Sequence, residues 1–288
     1  MKKSAFSLIE LSVVIVIIGI LVAGVTQASR LVSAMRLNAA RAKTLSSPVA
    51  SIKGLVLWLE TTSEKSFPSY ENLEDDLSIN SSTYYWADIN PQSSIKSNAA
   101  AATGPDYKVN CINGLPCLNF DGSSEFLDIS QNNGIVSEMS VFMVLNSAGS
   151  GARYLLGYKG ATSSTSNYFI IYLTSSNTMT YGTYPGSLAP GVILANSSSY
   201  IWDMVDSGSS LTISTSRTNN TISRTTLANA MGAKNLNGLT IGSSYNGTTR
   251  ANYYSGNIGE IIVFERALKT EERNSIEEYL SKKWNIRI

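Results

Sequence analysis

The sequence predicts a long apolar N-terminal helix of membrane-spanning length, then an all-β antiparallel sandwich of jelly-roll type, closed by a C-terminal helix. Three observations predict it. Residues 6–28 carry a single charge. From Ile52 onward about a dozen short apolar or aromatic runs alternate with turn residues, with no helical pattern between them. Residues 270–284 then return to a helical period.

The first element is Phe6 to Ala28, FSLIELSVVIVIIGILVAGVTQA, in which Glu10 is the only charge. As a helix of about 1.5 Å per residue it covers roughly 35 Å, enough to cross a bilayer core. Lys2 and Lys3 precede it, so the positive-inside rule puts the N-terminus in the cytoplasm. The basic residues from Arg30 onward lie beyond the span and can snorkel to lipid headgroups. A cleaved secretory signal would have a shorter apolar core and an A-x-A-like site, and Val25-Thr26-Gln27-Ala28-Ser29 is a poor one. A plain anchor explains the length but not Glu10, since a carboxylate in lipid is costly and by default marks function.

Residues 29–46 lack proline and are ordinary or good helix formers, so the helix continues to Ser46, where Ser47-Pro48 ends it. Leu31, Met35, Ala42 and Leu45 approximate one helical stripe and are the expected face for packing on the following domain. Gly19 and Gly24 weaken the helix but allow close helix contacts.

The candidate strands are Leu55–Leu59, Cys117–Phe120, Phe126–Ile129, Ser140–Leu145, Tyr154–Tyr158, Tyr168–Leu173, Met179–Tyr181, Tyr200–Val205, Leu211–Thr215, Ile222–Thr226, Leu239–Ile241 and Gly259–Phe264. Asp121-Gly122, Asn133-Gly134 and Asn246-Gly247 are expected turns. In the closing helix Thr270 reads as the N-cap, Glu271 and Glu272 favour the first turn, and Lys282 and Lys283 the last. Ile276, Tyr279, Leu280 and Trp284 form its apolar face.

Charge is unevenly divided. Residues 1–46 carry a net +5 and the rest a net −4. A mildly acidic head has no electrostatic footprint for nucleic acid, and the basic excess beside an apolar span points to membrane. The absence of histidine excludes Ser-His-Asp and His-ligated metal chemistry. No phosphate loop or dinucleotide fingerprint is present, and no spacing supports a carboxylate-pair glycosidase. Five residues separate Cys111 from Cys117. In an exported chain they read as a disulfide stabilising the fold by roughly 2 kcal/mol; the alternative is two buried thiols.

Ser4-Ala5-Phe6-Ser7-Leu8-Ile9-Glu10 resembles the processing site of type IV prepilins and pseudopilins. The resemblance implies a leader of residues 1–5, cleavage between Ala5 and Phe6 by a prepilin peptidase, and N-methylation of Phe6. The usual residue before the cut is Gly, and Ala5 departs from that. The resemblance also implies that Glu10 meets the terminal ammonium of a neighbouring subunit. The implied partners are other pilin subunits, the peptidase and the inner membrane, with a filament at the cell surface.

A second resemblance covers about residues 52–287. Leu57-Trp58-Leu59, Trp86-Ala87-Asp88, Asn113-Gly114-Leu115-Pro116, Asn119-Phe120-Asp121-Gly122, Ser140-Val141-Phe142-Met143-Val144 and Gly259-Glu260-Ile261-Ile262-Val263-Phe264 occur in the order of laminin-G/concanavalin-A-like jelly rolls. Residues 47–288 are accordingly expected to be one head domain. Such domains bind glycans or proteins or are purely structural, and the ligand-binding residues stay unassigned. Trp58 and Trp86 are expected in the core, whereas Tyr181–Tyr184 and Tyr245–Tyr254 are the better candidates for a ligand surface. Asp75, Asp76, Asp88, Asp121 and Asp128 could offer oxygens to Ca²⁺, but lacking EF-hand spacing they read as solvated turn carboxylates, and no metal or cofactor is expected. The sequons at Asn80, Asn196, Asn219 and Asn246 carry little meaning in a bacterial setting.

The expected function is therefore a pilin-like subunit, of the minor class, displaying a non-enzymatic lectin-like head for adhesion. A type II secretion pseudopilin and a membrane-tethered glycan-active enzyme are the alternatives.

Overall fold

The computed structural model describes residues 8–68, 77–78, 85–160, 167–183, 187–216, 222–228 and 232–288. Helix α1 (Leu8–Leu45) leads into a short 3-10 turn (Pro48–Ser51), which Pro48 opens. The strands follow in chain order: β1 (Leu55–Glu60), β2 (Leu77–Ser78), β3 (Tyr85–Trp86), β4 (Ala99–Ala100), β5 (Asp106–Ile112), β6 (Leu115–Asp121) and β7 (Leu127–Val136). Next come β8 (Met139–Ser147), β9 (Arg153–Tyr158), β10 (Phe169–Leu173), β11 (Thr178–Thr183), β12 (Ser187–Ile193) and β13 (Ser199–Asp206). The last are β14 (Leu211–Ser216), β15 (Ile222–Leu227), β16 (Lys234–Ile241), β17 (Ser244–Tyr245), β18 (Arg250–Ala251) and β19 (Ser255–Phe264), followed by α2 (Thr270–Trp284).

Two antiparallel sheets form the sandwich. One runs β15-β14-β13-β8-β19-β6-β5-β2, with β1 also paired to β19. The other runs β12-β11-β10-β9-β16-β7-β4-β3. The core between them is built from alternate residues of the facing strands, among them Phe120, Met143, Leu156, Phe169, Trp202 and Ile241.

A second apolar layer lies on the outer face of the first sheet. There Trp58, Phe142, Ile262 and Phe264 meet Ile276, Leu280 and Trp284 of α2, with Ala40 near the end of α1 and Val49 of the 3-10 turn. Strands β1 and β8 at the sheet centre are thus covered on both faces, which is why they read as apolar runs without alternation. Gly259 of β19 lies directly under α2. A Cβ there would stand 2.4 Å from one indole carbon of Trp284 and 2.8 Å from two more. Gly259→Ala is therefore expected to destabilise the head by about 1–3 kcal/mol through overpacking. Thermal denaturation checks this; an unchanged melting temperature would mean that α2 can shift at no cost.

All twelve expected runs are strands. Seven further strands lie outside the expected runs: β2, β3, β4, β17 and β18 are two residues long, β12 holds a proline and a glycine, and β5 alternates polar Asp106, Lys108 and Asn110 with Tyr107, Val109 and Cys111, a period-two signal the expected runs do not include. Asn133-Gly134 is not a turn but lies inside β7, where the pairing with β16 slips at Asn132↔Asn237. Asn113 and Gly114 (φ 52° and 82°) form the two-residue turn between β5 and β6. The N-cap of α2 is Lys269 rather than Thr270, and the Glu272 carboxylate accepts the Lys269 N–H at 2.9 Å.

The face of α1 that meets the head also differs from expectation. Ala40 and Thr44 are buried and Leu37 and Arg41 half-buried, whereas Leu31, Met35 and Leu45 are 62%, 63% and 83% exposed. Polar anchoring explains the choice. Arg41 Nε donates to Thr62 O (2.9 Å), Arg41 Nη1 to Glu64 (2.8 Å), and Lys43 Nζ to the Lys282 carbonyl. The hydrogen-bonding side of the helix turns to the head, and the apolar stripe turns away.

Candidate functional site

Three regions have functional potential: the free length of α1, its junction with the head, and the uncovered face of the second sheet.

Residues 8–36 of α1 are exposed throughout, including the apolar run from Leu8 to Val25. Among the described residues α1 is the only helix long and apolar enough to cross a membrane, by length and composition alone. Glu10 is in its first turn. Ala5 and Phe6, the expected processing site, lie outside the described residues.

At the junction, Glu60 of β1, Glu260 of β19 and Lys283 of α2 are enclosed together. Their side chains are no more than 1% exposed. Lys283 Nζ donates to Glu60 at 2.7 Å and to Glu260 at 2.9 Å. Glu260 also accepts the indole N–H of Trp58 and of Trp284 and the Tyr279 hydroxyl, each at 2.8 Å. Glu60 accepts from Thr62 and Ser63. Burial alone would raise the Glu60 pKa, but the Lys283 charge and these hydrogen bonds hold it below the usual carboxylate range. For Lys283 burial pulls down, and the two carboxylates win and raise it. The arrangement ties α2 to the sheet centre, and Thr44 of α1 touches Tyr279 at 3.5 Å. Sequence reasoning assigned Lys283 to the helix dipole and missed both glutamates. The available signal was a glutamate at the end of one wholly apolar strand and another inside GEIIVF, with a lysine beside Trp284 on the apolar face.

A second buried cluster lies beside the first. Asp203 of β13 is paired with Arg273 of α2, which also approaches Glu277 at 3.3 Å, and Arg224 of β15 pairs with Glu277. Burial, with Glu277 nearby and only partly offset by Arg273, pushes the Asp203 carboxyl up to about 8. Its folded pKa thus exceeds the unfolded value of 3.8. The stability it contributes is complete below about pH 4 and is lost progressively as pH rises toward 8. The head is expected to melt at lower temperature at pH 8 than at pH 5, and Asp203→Asn should flatten that slope. An Asp203→Asn melting profile parallel to the parent would contradict the assignment.

Among the described residues no helix covers the outer face of the second sheet. Tyr154 of β9 and Tyr172 of β10 stack there with centroids 5.2 Å apart. Beside them is a cleft of about 300 Å³ lined by Tyr154, Tyr168, Ile170, Thr240, Tyr245 and Asn246, among others. Its side wall, the β17–β18 hairpin, is braced. The Arg250 guanidinium lies between Phe126 (3.5 Å) and Tyr245 (4.7 Å) and donates to Asp128, Thr240 and Ser243. Asn246 Oδ1 accepts from the backbone and hydroxyls of Thr248 and Thr249.

The expected ligand surfaces divide. Tyr245 lines the cleft, but Tyr181 and Tyr254 are buried, their hydroxyls donating to Asp206 and Asn146 O at 3.0 Å each. Tyr184 lies outside the described residues. Trp58 and Trp86 are core residues, 3% and 0% exposed. Of the three candidate aspartates among the described residues, Asp121 is an exposed turn carboxylate, accepting from Ser123, Ser124 and Glu125. Asp88 is buried and accepts from Trp58 N, Asn90 N and Ser97 N. Asp128 pairs with Lys159 and Arg250. Asp75 and Asp76, like the sequons at Asn80 and Asn219, lie outside the described residues. Among the described residues no cluster of three or more acids or cysteines is placed to hold a metal. Cys111 and Cys117 are disulfide-bonded across the β5–β6 hairpin, with Cα atoms 5.7 Å apart.

Residues 1–26 match the prokaryotic N-terminal methylation motif. No curated protein matches the chain. Among solved structures, a GH54 α-L-arabinofuranosidase soaked with a cyclic sulfate inhibitor is similar at TM-score 0.55 and 10% identity, over 80% of this chain and 63% of that one. A mutant of a GH54 arabinofuranosidase, soaked with a 4-nitrophenyl arabinofuranoside, gives 0.51 and 11%, over 69% of this chain and 50% of that one. A Trypanosoma rangeli sialidase in complex with sialic acid gives 0.50 and 12%, over 81% and 34%. The chain thus spans from about a third to less than two thirds of these proteins. At such identities the likeness is one of fold, an antiparallel β-sandwich.

Proposed function

We propose that the chain is a type IV pilin-like subunit, of the minor class, that carries its sandwich as a displayed head for adhesion or surface interaction. The observation that carries this reading is the division of α1. Within the methylation motif, the apolar run from Leu8 to Val25 is exposed along its length, and the last turns of α1 are fixed to the head by Arg41, Lys43 and the buried Ala40 and Thr44. A bare apolar helix of this length requires lipid or other helices around it. The motif and helix fit anchoring in the membrane first. Cleavage between Ala5 and Phe6 and methylation of Phe6 would then release the subunit for assembly, with the head outside the cell.

The head is read as a binding module rather than an enzyme. Its enclosed carboxylate pair, Glu60 and Glu260, is 0% and 1% exposed and is held by Lys283, so a polymeric substrate has no access to it. The laminin-G/concanavalin-A-like designation agrees with the two-sheet architecture and the ordered motifs. A pseudopilin would share the helix, and the large head favours display.

Shearing filaments from cells of the native host tests the reading. The protein is expected in the sheared fraction, labelled along or at the tips of filaments by an antibody to the head. Its confinement to the membrane fraction, in cells that do make filaments, would remove the display reading.

A further inference from the structure

We infer that the tyrosine-lined cleft on the outer face of the second sheet is a binding site for a neutral carbohydrate. The inference deepens the adhesion reading by naming the ligand class. It rests on that reading only for the setting in which the sugar is met, because binding is a property of the isolated protein.

The two outer faces of the sandwich are built differently. The first sheet is sealed by α2 and α1 with aliphatic and aromatic side chains. Among the described residues no helix seals the second, and the half-buried tyrosines at its middle make that surface neither aliphatic nor charged. Tyr154, Tyr168, Tyr172 and Tyr245 are all half-buried there. A tyrosine offers a flat apolar face and a hydroxyl that both donates and accepts, at low conformational cost. A sugar ring is the complementary object, with a C–H face that stacks on an aromatic ring and a rim of hydroxyls that needs both donors and acceptors. Thr240, Ser244, Asn246 and Thr249 supply further short polar groups around the same space.

Charge decides between ligand classes. Every residue lining the cleft is formally uncharged. The nearby cations are committed to Asp128: Lys159 Nζ lies 2.6 Å from it, and the single nitrogen Arg250 Nη2 donates to both of its oxygens at 2.6 and 2.7 Å. Among the described residues at the cleft, an anionic sugar finds no unengaged cation and a basic peptide no unengaged carboxylate. Burial raises the pKa of Tyr154 and Tyr168, with neighbouring tyrosines adding to the effect, so both hydroxyls stay protonated and can donate.

The cleft is also preformed. Gly157 lies at its floor, where a Cβ would come within 3.1 Å of Phe169 O and 3.2 Å of the Ile170 side chain. Arg250 and Asn246 hold the hairpin wall through side-chain bonds that the apolar core does not require. Bracing of this kind lowers the ordering cost of binding. The volume is at the lower end of the roughly 300–1,000 Å³ typical of ligand sites, suited to a chain terminus or short segment.

The test uses the full-length protein in detergent micelles on an array of neutral hexose and N-acetylhexosamine oligosaccharides. Sialylated and sulfated forms of the same chains and a proline-rich peptide share the surface. Binding to at least one neutral oligosaccharide is expected, reduced about tenfold or more by Tyr245→Ala and by Tyr154→Ala, with melting temperatures recorded for both. Tyr245 is on the exposed hairpin, so it reads the site even if Tyr154→Ala unfolds with loss of its stack. Tyr245→Phe should keep most of the affinity. No binding to neutral glycans, binding confined to charged glycans or to the peptide, or neutral binding indifferent to Tyr245 would each overturn the inference. Filament assembly enters none of these readouts, so failure here leaves the subunit reading standing, and the reverse holds.

Discussion

Lys283→Met is expected to destabilise the head by about 3–5 kcal/mol, the usual cost of removing one partner from a buried ion pair. For a domain of this size that corresponds to a fall in melting temperature of about 6–20 °C. The reason is the imbalance left behind. Among the described residues Lys283 is the one cation between Glu60 and Glu260, both enclosed, and without it two carboxylates face each other away from water. The indole and hydroxyl donors around Glu260 keep hydrogen bonds but bring no charge. The same reasoning predicts coupling. In a Glu260→Gln background the Lys283→Met cost should shrink, because one charge fewer is orphaned. A loss below about 1 kcal/mol, or costs that simply add, would show that the network is solvated or neutral in the folded protein. Because the three residues come from β1, β19 and α2, and Tyr279 beside them touches Thr44, the loss should also loosen the seat of α1.

The second large effect concerns assembly. Glu10→Gln is expected to leave membrane insertion intact, since it removes a charge from an apolar span, while lowering incorporation into filaments made with wild-type subunits. Two opposite charges about 4 Å apart attract by about 4 kcal/mol at an effective dielectric constant of 20, and even ~1.4 kcal/mol is tenfold in an equilibrium. Incorporation should therefore drop at least about tenfold, measured by quantifying tagged subunits in sheared filaments against the membrane pool. Glu10→Asp, which keeps the charge on a shorter arm, should recover part of it. Equal incorporation of Gln and Glu subunits would show that the carboxylate has no part in register.

Much of this architecture was legible in the sequence because its signals are local. A charge-poor run, a proline after Ser47 and period-two runs bounded by turn residues each act over a few residues, and they delivered α1, twelve strands and α2. What escaped depends on partners far apart in the chain. Lys283 looked like a dipole-compensating lysine because its two carboxylates lie 223 and 23 residues away. The packing face of α1 follows the reach of Arg41 and Lys43 to the head rather than its apolar spacing, and that reach has no local signal. Asn133-Gly134 has the composition of a turn, yet β16 captures it as a bulge. At the cleft, Tyr245 was legible as an exposed tyrosine in a turn-rich segment. Its neighbours Tyr154 and Tyr168 read only as strand residues, because which face of a two-sided sheet stays bare is settled by where α2 docks. Tyr181 failed for the same reason in reverse, its hydroxyl satisfied inside by Asp206.

Display of the head depends on the processing and assembly of α1, and the intact mass of the protein isolated from its native host tests this most directly. The mass should correspond to a chain beginning at Phe6, heavier by CH2 where a methyl group replaces an amine hydrogen, and lighter by the two hydrogens lost in joining Cys111 to Cys117. A protein still beginning at Met1, recovered from cells with an active prepilin peptidase, would contradict it and leave a β-sandwich tethered to the membrane.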